Sequence, residues 1–596
     1  MAMSGTRKAV IIITSILVGI ILGVLIGLAM LVAAFREREP YIADNSVLSL
    51  RVAGAMPDYV PEDPLRELIR GKEQSLSSFI LQLKKAKVDN RIKAVLIDVN
   101  MSGAGLAKVE EIHDAIVDFR STGKPAYAYI EYGMNKEYFI ATACDKIFVA
   151  PPGELFINGF AADVMFFRGS LDKLGIYPDM YQIGKYKTAA DTFTRKEMSE
   201  AHREFMNSFL DDIYNNHVQA IAKSRNKTAD EVRALIDNAP YRPNAAKDAG
   251  LIDGVAYRPE VEKELKTRLG YKEEDELRVV RYSEYNDVRP ESLGLEQGEK
   301  IAIIYATGTI GSGRSDNGAM GDQSVGSDTM VKALNDARDD KSIKAIVIRV
   351  DSPGGTGLAS DIIWEAVESA KQKKPVVVSM GDVAASGGYY IATGAHKIVA
   401  QPSTITGSIG VLAGKPVLKG FYDWLGISNE YLLRGKNAGM FRETEKFTDD
   451  ERAKFEEWIQ KTYYEDFIPK VAKGRNKDVE YIDSVGQGRV WTGTQGKERA
   501  LVDEMGGLDR AVEIAKELAN IPKDKGVNRV VLPYPRTFLQ ELMSGDLEMR
   551  SQTRQRQEAL ALLPEDAQRA FRYMALMERM KNGESMYLMP FELRIK

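Results

Sequence analysis

Between about residues 47 and 535 the apolar positions fall into short β-branched runs separated by longer stretches of helical spacing. Val47 to Val52 and Ile301 to Tyr305 each open such a series. In the second series, Lys344–Val350 (KAIVIRV) and Pro375–Met380 (PVVVSM) carry apolar residues on both faces, as parallel strands buried between helices do. The stretch 357–371 between them has the period of a helix. A β-α-β alternation of this kind predicts an α/β fold.

The two series are copies of one another. KAVLI at Lys93–Ile97 returns as KAIVI at Lys344–Ile348, and IAT at Ile140–Thr142 returns at Ile391–Thr393. AKSRNK at Ala222–Lys227 returns as AKGRNK at Ala472–Lys477, and Leu251-Ile252-Asp253 as Leu501-Val502-Asp503. Four matches in one order, each displaced by 250 or 251 positions, identify a duplication. Ahead of it, Ala9 to Phe35 is uncharged, long enough to span a bilayer and longer than the apolar core of a cleaved leader. Lys and Arg tie on its two sides; the short leading tail argues for tail inside and bulk outside. The expected organisation is a tail 1–8, a transmembrane helix 9–35, a first α/β repeat 36–295, a second 296–536, and a charged tail 537–596 with helical spacing over 546–582 and a strand at its end.

Composition narrows the chemistry. With 81 basic and 85 acidic residues the net charge is −4, without the basic excess of a nucleic-acid binder. One cysteine, Cys144, excludes an intrachain disulfide and a cysteine-rich metal site.

The copies differ where chemistry would sit. The second carries Asp351-Ser352-Pro353-Gly354-Gly355 after one strand and Ala385-Ser386-Gly387-Gly388 after the next, at a helix start. Unpaired N–H groups there suit a developing oxyanion, and glycine lets backbone approach a substrate. In the first copy Ser386 becomes Asn135 and the Ser-Pro-Gly-Gly turn becomes Met101-Ser102-Gly103-Ala104. A serine needs a base. Of four histidines, His113, His202 and His217 fall in charged helical stretches and read as solvated, and His396 reads as an exposed turn. A lysine serves if burial lowers its pKa. Tyr181–Ala189 aligns with Tyr431–Gly439, setting Lys187 on Asn437 and Lys185 on Gly435, so the first copy keeps lysines that the second lost.

Gly-Lys-Tyr-Lys-Thr-Ala at Gly184–Ala189, together with Ser-Pro-Gly-Gly, Ala-Ala-Ser-Gly-Gly-Tyr-Tyr-Ile-Ala and Thr-Gly-Ser-Ile-Gly-Val, resembles the long, duplicated form of the signal peptide peptidase A (protease IV) family, a serine–lysine peptidase family. The resemblance covers roughly 40 to 535. It implies Ser386 as nucleophile, Lys187 as base, Ser408 orienting the lysine, and the Gly355 and Gly387 amides as oxyanion hole. Asp351 stands where relatives often have Asn. The resemblance further implies two tandem repeats of the Clp-protease/crotonase type, a homotetrameric bowl, and no metal or organic cofactor. It points to degradation of spent signal peptides and other apolar peptides at a bacterial inner membrane, with the catalytic part on the extracytoplasmic side.

Two enzyme alternatives and one non-enzyme reading compete. Ser170-Leu171-Asp172-Lys173 and Ser315-Asp316-Asn317 match penicillin-binding motifs, but the K-T-G element is missing. A crotonase-type acyl-CoA enzyme would share the fold without a serine nucleophile. A membrane scaffold would need no catalytic residue at all.

Overall fold

In the computed structural model the described residues are 40–61, 73–315, 323–534, 585–589 and 594–595, with scattered positions between 14 and 27 and residue 568. The first repeat is built on β1 (Ser46–Gly54), β2 (Ile92–Ser102), α1 (Leu106–Arg120), β3 (Ala126–Met134), α2 (Asn135–Ala141), β4 (Lys146–Phe156), β5 (Tyr177–Ile183) and α3 (Glu200–Arg225). The second is built on β6 (Glu299–Thr307), β7 (Ile343–Ser352), β8 (Gly354–Thr356), α4 (Gly357–Lys371), β9 (Val376–Ala385), α5 (Gly387–Ala392), β10 (Lys397–Ala400), β11 (Ile405–Gly407), β12 (Val411–Val417) and β13 (Val527–Leu532). Near the end of the chain lie β14 (Met586–Leu588) and β15 (Arg594–Ile595).

Each repeat centres on a parallel sheet. In the first the order is Gly254–Val255, β4, β3, β2, β1, Val279–Arg281; in the second β11, β9, β7, β6 and β13 are likewise parallel neighbours. The apolar runs of β2 and β7 are buried on both faces because helices cover both sides of their sheets. The fold is therefore mixed α/β with a repeated unit.

The motifs that repeat in sequence repeat a structural task. Asn226 and Asn476 both take a left-handed conformation (φ 50° and 51°) and end α3 and the helix Ile468–Arg475. Asp253 and Asp503 each accept a backbone N–H from the start of a strand, at Ile147 and Ile398, and each pairs with the arginine closing its helix, Arg225 or Arg475.

Two features lock the repeats together. A buried ionic cluster crosses the boundary: Arg349 bonds Asp58 (2.9 Å) and Glu111 (2.6 Å), and Lys108 meets Asp351 (2.7 Å) and Asp58 (3.1 Å). Facing carboxylates hold both cations protonated against the burial that opposes it. The second feature is a sheet of mixed parentage, in which β5 of the first repeat runs antiparallel to β12 of the second from Ile183↔Val411 to Tyr177↔Val417.

Of the expected transmembrane helix over 9–35, residues 14–16, 18–23 and 26–27 are described and are helical, and the rest lie outside the described residues; among the described residues no helix is long and apolar enough to cross a membrane. The helical tail expected over 546–582 also lies outside the described residues, apart from residue 568.

Candidate active site

The β5–β12 pairing delivers Lys187. Beyond Ile183 the chain turns at Gly184, whose φ of +107° and approach to the Gln487 backbone (2.4 Å from where a Cβ would stand) exclude any other residue without strain. Tyr186 N–H donates to Gln487 O, and Lys187 follows as the residue before a short 3₁₀ turn, Thr188–Ala190. Its side chain is 0% exposed.

Ser386 joins β9 to α5 and is also 0% exposed. Its φ of 54° and ψ of −111° are uncommon for an L-residue, a strain held by Ser386 N–H donating to Gly407 O at 2.8 Å. Lys187 Nζ stands 2.8 Å from Ser386 Oγ, 3.0 Å from Ser408 Oγ and 3.0 Å from Ser408 O. Burial pushes the Lys187 pKa far below the usual lysine value. A neutral amine has two N–H donors and one lone pair, and three oxygens at these distances match that inventory.

The glycine amides converge on the same place. Gly354, at φ +103°, carries the chain from β7 into β8. A Cβ there would come within 2.8 Å of Gly387 N, and one on Gly387 within 3.2 Å of Gly355 N. Only glycine at these points leaves the space between the two amides open. Asp351 supports the turn, accepting Val383 N–H at 3.0 Å while paired with Lys108.

All five expected residues, Ser386, Lys187, Ser408, Gly355 and Gly387, therefore meet in one enclosure built by both repeats. In the first copy Asn135 spends its amide on Gly159 O (2.7 Å). Lys185 is exposed, beside Tyr186 and Glu204. The solvated reading of the helical histidines fails for two. His202 and His217 sit on the buried stripe of α3, His202 stacked on Phe205 and His217 between Phe139 and Phe160. Burial pushes both pKa values down to about 4. His396 is on an exposed bend, where its Nδ1 accepts Val376 N–H. Ser170 and Lys173 are both exposed on the helix Arg168–Lys173.

Sequence reasoning missed two features. Arg349 inside an apolar strand signalled the buried cluster. Of the strand expected over 587–596, residues 587–588 lie in β14 and 594–595 in β15, and nothing in those residues pointed to the partner of β14, the Gly354–Thr356 segment.

Known proteins give the same picture. The chain matches Peptidase family S49 over residues 118–272 and again over 368–522, the two matches displaced by the repeat's own period. Serine protease SPPA, chloroplastic, of Arabidopsis thaliana is 38% identical over 505 residues, spanning 85% of this chain and 74% of that protein. Protease 4 of Haemophilus influenzae is 31% identical over 505 residues (82% and 79%), and Protease 4 of Salmonella typhi 34% over 463 residues (76% and 73%). Matched twice by one family and aligned with these relatives along most of its length, the chain belongs to peptidase family S49 and is a serine peptidase.

Proposed function

We propose that Ser386 and Lys187 form the catalytic dyad of an endopeptidase acting on apolar peptides, spent signal peptides among them, at a membrane. The observation that carries the reading is a fully buried lysine amine 2.8 Å from a buried serine hydroxyl. Neutral Lys187 accepts the Ser386 proton through its lone pair as Oγ attacks the peptide carbonyl, while Ser408 O and Oγ take its two N–H groups and fix its direction. The Gly355 and Gly387 amides receive the oxyanion. Lys187 then returns the proton to the departing amine, and a water activated by the same amine hydrolyses the ester. No step calls for a metal or organic cofactor.

The Clp-protease/crotonase type is the fold-level reading of this duplicated α/β unit. Its acyl-CoA branch would use the paired amides but gives no use for a lysine aimed at a serine, which favours the peptidase. The uncharged run 9–35 supports a single membrane anchor, with the catalytic part on the extracytoplasmic side of a bacterial inner membrane. Assembly into a homo-oligomer, a tetramer in this reading, is consistent with the exposed apolar stretch Ile427–Leu433. A net charge of −4 supports peptide rather than nucleic-acid partners.

The test is hydrolysis of an internally quenched apolar peptide. Wild type should cleave it, and Ser386→Ala and Lys187→Ala should each lose at least about 10³-fold in kcat, the scale on which dyad and triad members act. Retained activity in either variant contradicts the assignment.

A further inference from the structure

The first copy, without a nucleophile, still has a pocket beside Asn135. Its volume is about 290 Å³ with the open mouth included, and Leu106, Val109, Phe139, Phe160 and Ile213 make its walls apolar. Its aromatic pair is the counterpart of one that holds a ring in the second copy. The repeat offsets of 251 and 250 set Phe139 on Tyr390 and His217 on Phe467. Tyr390 and Phe467 stack on the Tyr587 ring at 5.2 and 4.8 Å. Phe139 and His217 stack on one another at 5.7 Å, with Phe160 edge-on to His217 at 5.1 Å.

The reacting half of this copy is closed. Lys136, at the position of Gly387, donates to Ser102 O (2.9 Å) and Ala104 O (2.8 Å), in the turn that replaces Ser-Pro-Gly-Gly. Asn135, at the position of Ser386, gives its amide to Gly159 O. The side-chain half is not closed. Asn135 Oδ1 and His217 Nε2, on two residues that line the pocket, have no hydrogen-bond partner among the described residues. The residues are 4% and 5% exposed, and a buried polar atom left unpaired costs free energy that a ligand's hydrogen bond would recover.

The lining calls for a neutral occupant. Burial pushes the Glu110 carboxyl up to about 8 and the His217 imidazole down to about 4, so both are uncharged at neutral pH. The Lys136 ammonium is spent on its two carbonyls. With the imidazole proton on Nε2, a hydroxyl satisfies both orphan atoms, donating to Asn135 and accepting from His217. The pocket also neighbours the active site. Leu106 and Phe160 pack in one apolar cluster with Val383 and Ala385, which lead into Ser386, and Lys108 N–H donates to Asp382 at 3.1 Å.

We infer that the first copy keeps its side-chain pocket as a non-cleaving subsite for a tyrosine of the peptide substrate, the phenol hydroxyl held by Asn135 and His217. This rests on the proposed peptidase reading and deepens it, adding a point of specificity away from the scissile bond.

The test is a set of internally quenched apolar peptides of one length, in which a single tyrosine, or a phenylalanine in its place, steps through every position. The full chain in detergent hydrolyses them. Wild type should prefer tyrosine about tenfold in kcat/KM at one position beyond those flanking the cleaved bond, with the difference in KM. His217→Phe, which installs the residue of the second copy, should erase that preference. Leu106→Trp, at a half-buried wall of the pocket, should raise KM for the tyrosine peptide by the same factor, and it stands in if Tm shows that His217→Phe does not fold. A wild type with no such position, or a preference that survives in either folded variant, overturns the inference. Peptides cleaved without the preference remove the subsite and leave the dyad standing; peptides left uncleaved by wild type remove both.

Discussion

Lys187 reaches an enclosure where its amine finds three oxygens, and burial is the cause of its lowered pKa. That has a thermodynamic consequence. The unfolded chain keeps its lysine protonated up to about 10.4, while the folded chain releases the proton at lower pH. Between the two values the unfolded state binds more protons, so stability rises with pH across that window. Lys187→Met should therefore raise Tm near neutral pH, by an amount that shrinks as pH approaches about 10; a gain independent of pH contradicts the buried-amine account. Lys185 offers the contrast: exposed and held protonated by Tyr186 and Glu204, it should tolerate Lys185→Ala with activity within about threefold of wild type, as surface changes usually do. At this scale the contrast between the copies pointed to Ser386 but left Lys185 and Lys187 both open; the family resemblance chose Lys187, and neither could measure the distance between the two atoms. It misread His202 and His217: charged neighbours on α3 hid the fact that both lie on its buried stripe.

At the scale of elements, the dyad depends on how β5 ends. Gly184 leaves the strand at φ +107° against the Gln487 backbone. Gly184→Ala should cost about 1–3 kcal/mol from the backbone conformation alone and displace the loop that carries Lys187. The expected outcome is a lower Tm together with a fall in kcat larger than any change in KM; unchanged kcat would show that the loop does not position the amine. Strands β7 and β9 were legible as unbroken β-branched apolar runs and helix α4 by its helical period, and α4 coincides with the expected 357–371. The β5–β12 pairing was not legible, since an antiparallel contact between distant strands leaves no local period. β14 was legible as a strand only; its place beside Gly354–Thr356 is set by packing across hundreds of residues.

At the scale of the molecule, duplication brings an amine of one repeat beside a hydroxyl of the other, Lys187 Nζ 2.8 Å from Ser386 Oγ. The duplication also leaves a loose end. β5 is paired within the chain, but its second-repeat counterpart, Ile427–Leu433, carries no strand and is exposed, with Leu432 at 85% and, on the helix Lys419–Leu425 just before it, Trp424 at 73%. We propose that this patch is where copies of the chain meet; a head-to-tail pairing there gives a ring if its rotation closes and a filament if it does not. Leu432→Lys with Trp424→Lys should reduce the native mass in detergent toward one subunit; an unchanged mass contradicts assembly through this edge. The central claim, that Lys187 is the base of Ser386, is tested most directly by the pH dependence of fluorophosphonate modification at Ser386. The rate should rise through a single ionisation well below 10.4, and in Lys187→Ala both the rise and the bulk of the rate should vanish. A rate governed by an ionisation near 6.5, or a profile that survives in Lys187→Ala, would contradict the account.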